Sequence, residues 1–213
     1  MKMNLPNKLS VLRLIMVPIF MVVMLLPVFT DFSLTTDMIL TLTGAFLFIA
    51  ASITDMLDGK IARKYNLVTD FGKFLDPLAD KFMVIGAMLC ILFNNTGNIG
   101  MFTLYFFALV VVIFRELAVT SIRLVASSSS GVVIAANILG KLKTVTQIVA
   151  ICAAIIEPVI YWILANLISF PNYTTLCKYP PLTIVAMALM IYLTIHSGIN
   201  YIVGAWKYLD PQK

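Results

Sequence analysis

The chain has 213 residues, 61% hydrophobic and 12% charged, with a formal net charge of +5 and a mean hydropathy of +1.00. Soluble domains are about 45–50% apolar and about a quarter charged, so a cytosolic globule, a disordered chain and a collagen-like fibre are all excluded. The apolar runs far exceed the roughly 10 residues of a barrel strand, which leaves an all-α integral membrane protein.

At about 20 apolar residues per crossing, the chain has room for about six transmembrane helices and little else. The expectation is one membrane domain over residues 1–213. In chain order the spans are predicted at Val11–Phe29, Met38–Thr54, Gly72–Phe93, Met101–Leu124, Lys143–Ile168 and Leu182–Trp206. The first holds Pro18 and Pro27 and is followed by no small-residue cleavage site, so it reads as a retained span rather than a leader. Asn94–Asn98 closes the third, and Ser127–Ser130 with Gly131 reads as a flexible connector after the fourth. Glu157-Pro158 interrupts the fifth, where the chain is expected to kink or turn along the outer surface. Cys90 and Cys152 lie inside apolar runs and read as small buried hydrophobes.

Basic residues set the orientation. With the N-terminus in the cytoplasm and six crossings, 14 of the 15 Lys and Arg fall toward the cytoplasm and only Lys178 falls outside. By the positive-inside rule both termini are then cytoplasmic. The net positive charge points to anionic headgroups and an anionic substrate, not to nucleic acid.

Of the ten acids, five fall between Asp55 and Asp80. Asp55 and Asp58 are three apart, and Asp76 and Asp80 four apart, so on helices each pair shares a face. A cytoplasmic turn joins the two segments, so the four carboxylates can converge near the membrane surface. Gathered there, they would repel unless something positive sat among them. All-oxygen donors favour a hard divalent cation, and two such ions would balance four charges. A solvated face paired with Lys60, Arg63, Lys64, Lys73 and Lys81 is the bland alternative, and four acids at these spacings weigh against it. Gly59, Ala62 and Gly72 are small, so a ligand or helix could approach closely, with Gly72 expected to open a slot between the helices. Arg63 is placed to bind a phosphate bidentately.

These residues read D-x2-D-G-x2-A-R-x8-G-x3-D-x3-D, with every position filled. The pattern resembles the CDP-alcohol phosphotransferase family, whose six-helix fold suits the span count. The resemblance implies that an alcohol attacks the β-phosphorus of a CDP-linked lipid and CMP leaves. It further implies that Asp55, Asp58, Asp76 and Asp80 hold two Mg²⁺ or Mn²⁺ ions and that Asp80 is also the base. Asp55, Asp58, Gly59, Ala62, Arg63 and Gly72 would bind CDP-diacylglycerol.

Outside the motif, Leu5–Arg13, Phe114–Leu117 and Gly140–Thr144 resemble members whose acceptor is glycerol 3-phosphate. Phosphatidylglycerophosphate would then be the product, made in the bacterial inner membrane by a homodimer with its active site facing the cytoplasm. Arg115, Arg123, Lys141 and Lys143 supply the cations an anionic acceptor needs. Lys141 and Lys143 lie about 200° apart on a helix, so both face one cavity only if the helix starts after them. Lys141 is therefore favoured. Snorkelling to lipid phosphates is the alternative for these cations.

His196 reads as a packing residue, Glu157 as an outer interfacial group, Asp70 as the cap of the third helix, and Trp206 with Tyr208 as an aromatic belt. Two alternatives remain: a family enzyme with an inositol-phosphate, serine or cardiolipin-type acceptor, and a small divalent-cation transporter.

Overall fold

The computed structural model describes residues 4–65, 69–130, 138–168 and 172–206, the side chains of 63, 73, 126–130 and 205 excepted. Tyr208, which was expected in the aromatic belt, lies outside them. Among the described residues all regular structure is helical: α1 Leu5–Phe29, α2 Leu34–Lys64, α3 Asp70–Asn94, α4 Ile99–Ser130, α5 Ile138–Ile168, α6 Tyr173–Lys178 and α7 Pro181–Ala205. In hydrocarbon a helix satisfies its own backbone groups, so only its ends need partners. Asn4 caps α1 by accepting from Asn7 N–H at 3.1 Å, and Ser33 caps α2 from Thr36 N–H at 3.3 Å. For α3 the cap is Thr69, whose Oγ1 accepts from Gly72 N–H at 3.1 Å. Asp70, the expected cap, is instead the first helical residue, where its charge favours the helix N-terminus.

Among the described residues five stretches are long and apolar enough to cross a membrane: Leu5–Phe29, Leu34–Ala62, Ile99–Val125, Ile138–Ile168 and Tyr173–Gly204. Helix α3 is not among them. Its uninterrupted apolar run, Phe82–Phe93, is 12 residues, or about 18 Å of helix. It is also the most enclosed helix, packing against α1, α2, α4 and α5.

Helix direction follows from contacts at the two ends. Helices α1 and α3 run parallel, since Ser10 meets Asp76 at one end and Asn94 meets the Met24 carbonyl at the other. Helix α2 returns antiparallel and brings Asp58 to Arg13. In the second half α4 and α7 run the same way, with Arg115 on Ser197 and Arg123 on Tyr201, while α5 runs opposite and sets Lys143 against Glu116. The bundle thus collects its charges at one end. A core of Val17, Phe20, Phe48, Met88, Val112, Ile151 and Met187 fills the middle.

Three helix ends differ from expectation. Helix α2 continues ten residues past Thr54, so Asp55, Asp58, Gly59 and Ala62 all lie on it. The backbone of α4 runs on through Ser130, so the serine run is not a connector. Helix α5 passes Glu157-Pro158 unbroken, because a helix inside a packed bundle keeps its other hydrogen bonds when proline removes one.

Candidate active site

The charged end is built from two halves. In the first, α2 presents Asp55 and Asp58 and α3 presents Asp76 and Asp80, as the motif spacing requires. Between them stands Arg13 of α1, whose side chain is fully buried. Its Nη1 lies 2.5 Å from Asp55 Oδ1 and 2.7 Å from Asp80 Oδ1, and its Nη2 pairs with Asp58 Oδ2. Asp76 accepts from Ser10 Oγ at 2.6 Å. Asp58 is almost fully enclosed, whereas the Asp80 side chain is 46% exposed.

Gly72 is buried where α3 starts against α1. A Cβ there would lie 2.9 Å from Asn7 Oδ1, and that oxygen already accepts from Thr69 Oγ1 at 3.0 Å. The slot expected at Gly72 is therefore filled by Asn7. Gly59 and Ala62 are partly buried one turn along α2 from Asp55 and Asp58. The Arg63 side chain is outside the described ones.

The second half is cationic. Arg115 donates to Ser197 Oγ at 3.0 Å and to Glu116 Oε1 at 3.1 Å, and Lys143 Nζ pairs with the same Glu116 oxygen. Arg123 Nε donates to Tyr201 Oη at 2.9 Å, with the guanidinium 5.0 Å from the ring centre. Lys81 donates to Thr120 Oγ1 at 2.6 Å. Lys143 is buried and Lys141 exposed, yet both line one cavity although α5 starts before either of them. The 200° argument failed because lysine stems are long enough to reach round the helix.

The two halves meet in that cavity. It has a volume of about 720 Å³ and lies between α3, α4 and α5. Asp76 and Asp80 line one wall, and Arg115, Arg123, Lys141 and Lys143 line the others.

The sequence reading missed three features here. Arg13 was counted only as an orienting cation, although four acids in need of a counter-charge at its own end of the bundle were a signal for it. Glu116 was not seen to join Arg115 to Lys143. Gln147, one turn beyond Lys143, also lines the cavity.

Whether metal fits can be judged from the donors. Among the described residues no three His, Cys, Asp or Glu side chains are already arranged around a metal-sized centre, because the Arg13 guanidinium takes that place. Fully ionised, four carboxylates and one guanidinium leave three negative charges unbalanced. An all-oxygen set with that excess suits a hard divalent cation.

A family model described as CDP-alcohol phosphatidyltransferase matches residues 3–195. The chain belongs to this family. It is similar to the CDP-diacylglycerol–glycerol-3-phosphate 3-phosphatidyltransferase of Bacillus subtilis (strain 168), at 39% identity over 212 residues, 97% of each chain. A protein of the same name from Wigglesworthia glossinidia brevipalpis is 37% identical over 153 residues, 71% of this chain and 76% of its own. A probable phosphatidylglycerophosphate synthase of Mycobacterium tuberculosis (strain H37Rv) is 32% identical over 204 residues, 96% of this chain and 82% of its own. Family membership decides for a transferase over a cation transporter. The acid motif on α2 and α3 is the segment by which this CDP-alcohol phosphatidyltransferase was legible in its sequence.

Proposed function

We propose that the protein transfers the phosphatidyl group of CDP-diacylglycerol to a hydroxyl of sn-glycerol 3-phosphate, giving phosphatidylglycerophosphate and CMP. The observation that carries this reading is a cavity in which Asp80 shares the lining with Arg115, Arg123, Lys141 and Lys143. An acceptor without charge has no use for that cluster, whereas a phosphate gains charge-assisted hydrogen bonds from it. The full-length similarity to enzymes named for this reaction supports the same acceptor.

Each side chain then has a task. Arg115, Arg123, Lys141 and Lys143 hold the acceptor phosphate. Glu116 offsets part of their charge and keeps Arg115 and Lys143 together in the absence of ligand. Asp80, half exposed toward the cavity, takes the proton of the attacking hydroxyl as its oxygen bonds to the β-phosphorus and the CMP oxygen departs. By the family resemblance, Asp55, Asp58, Gly59, Ala62, Arg63 and Gly72 would bind CDP-diacylglycerol. Asp55, Asp58, Asp76 and Asp80 would hold two Mg²⁺ or Mn²⁺ ions, which supply charge stabilisation at the phosphoryl oxygens.

The same reading makes residues 1–213 one domain of six crossings in the bacterial inner membrane. Helix α3 is the sixth, and the charged end and both termini are cytoplasmic. A homodimer rests on the family resemblance alone. The test is CMP release by purified protein from CDP-diacylglycerol, with glycerol 3-phosphate run against serine, inositol phosphate and phosphatidylglycerol. Release that depends on glycerol 3-phosphate is expected. Equal or greater release with another acceptor would overturn the assignment.

A further inference from the structure

Beneath the charged layer of the cavity lies a second, nearly apolar one. Val84 is one turn deeper than Asp80 on α3. Val112 is about one turn deeper than Arg115 on α4, and Gln147 is one turn deeper than Lys143 on α5. All three line the cavity. Gln147 is 1% exposed, and its side-chain nitrogen has no hydrogen-bond partner among the described residues. A buried polar group without a partner destabilises a fold, so native structures nearly always satisfy it or use it. Here the orphaned nitrogen belongs to a residue of the acceptor cavity's wall.

Its chemistry selects a ligand. A carboxamide has a donor end and an acceptor end, and these two can be exchanged by a flip of the amide. A hydroxyl both donates and accepts, so it satisfies whichever end faces the cavity. An ionised phosphate only accepts, and the cations one turn above already serve it. We infer that Gln147 is a specificity-determining residue that hydrogen-bonds a non-reacting hydroxyl of a polyol phosphate acceptor. This rests on the transfer reading above. With the phosphate on α4 and α5 and the attacking hydroxyl at Asp80 on α3, the C2 hydroxyl of glycerol 3-phosphate is the group left for Gln147.

The experiment pairs a substrate deletion with a side-chain deletion, which isolates their interaction. 3-Hydroxypropyl phosphate keeps the phosphate and the attacking primary hydroxyl but lacks the C2 hydroxyl. The unaltered protein should use glycerol 3-phosphate about tenfold better, by kcat/KM for CMP release, as expected when a deoxy analogue leaves a buried polar group unpaired. Gln147→Met, similar in size and apolar, should bring that ratio close to one. Its melting temperature in detergent should not fall, because the amide nitrogen it removes has no partner among the described residues to lose. Gln147→Asn, with the amide drawn back by one methylene, should also lower the ratio.

A ratio near one in the unaltered protein would overturn the inference, as would a ratio of about ten that persists in both variants. A Met variant that fails to fold, or that slows both acceptors equally, would assign Gln147 to packing and overturn it too. No CMP release from the unaltered protein with glycerol 3-phosphate would instead remove the transfer reading, and this inference with it.

Discussion

Asp80 and Arg13 share one hydrogen bond but take different parts in the site. The Asp80 side chain reaches the cavity, while Arg13 is sealed behind it. Asp80→Asn keeps the shape and removes the proposed proton acceptor, so kcat for CMP release should fall at least about a hundredfold. CDP-diacylglycerol should still bind, measured directly on the same preparation. Arg123→Ala removes a cation held by Tyr201, and loss of one charge-assisted contact of about 1.5–3 kcal/mol should raise the KM for glycerol 3-phosphate at least tenfold. An equal loss for CDP-diacylglycerol would assign Arg123 to folding instead. Arg13→Met leaves three enclosed or half-enclosed carboxylates without their counter-charge. Breaking such a pair costs about 3–5 kcal/mol, so melting in detergent with EDTA should drop sharply, and divalent cation should restore more of it than it adds to the unaltered protein. The four acids were legible in the sequence because spacing alone sets them on helix faces. Arg13 was not, because its partners lie 45 and 67 residues away and only helix packing brings them together.

At the scale of the helices, α5 shows why a breaker in the sequence was misleading. Pro158 cannot donate a backbone hydrogen bond, and an acid beside it looked like the mark of a surface turn. The Glu157 carboxylate is in fact buried and caps a different helix. Its Oε2 accepts from Thr183 N–H at 2.6 Å and from Thr183 Oγ1 at 2.8 Å. Its Oε1 accepts from Leu182 N–H at 3.0 Å and from Tyr161 Oη at 2.8 Å. Helix α7 begins at Pro181 after Pro180, which has no side chain able to cap it, so α5 supplies the anion that its N-terminus favours. Glu157→Ala should cost about 1–3 kcal/mol by leaving those donors unsatisfied. The readout is a lower melting temperature with kcat unchanged at low temperature, since the carboxylate sits at the opposite end of the bundle from the cavity. The start of α7 was readable from its prolines. The group that completes that start was not, being fixed by the packing of α5 on α7.

Across the whole molecule the decisive quantity is the parity of crossings. Among the described residues five stretches qualify by length and apolarity; five crossings would put the termini on opposite sides, whereas six with α3 would return both to one side, proposed here as the cytoplasm. Reporter fusions at each terminus should both be active on the cytoplasmic side, and Lys178→Cys should be labelled by an impermeant thiol reagent from outside. Opposite placement of the termini would remove α3 as a span. In the sequence the motif and the loop signals around it marked the α3 helix, whose apolar run is 12 residues. Metal dependence is also expected of the assembled end: EDTA should abolish CMP release, and Mg²⁺ or Mn²⁺ should restore it. Arg13 also bears on biogenesis. It emerges from the ribosome with the first helix, before any of its acids exist, and a long cationic side chain can wait among lipid headgroups until they arrive. Chains truncated after α3 already contain Asp55, Asp58 and Asp80, so α1 should become protected from protease at that length and not when the chain ends after α1. The order of synthesis is then the order in which the charged end closes, with the guanidinium first, the carboxylates next and the cationic helices α4 and α5 last.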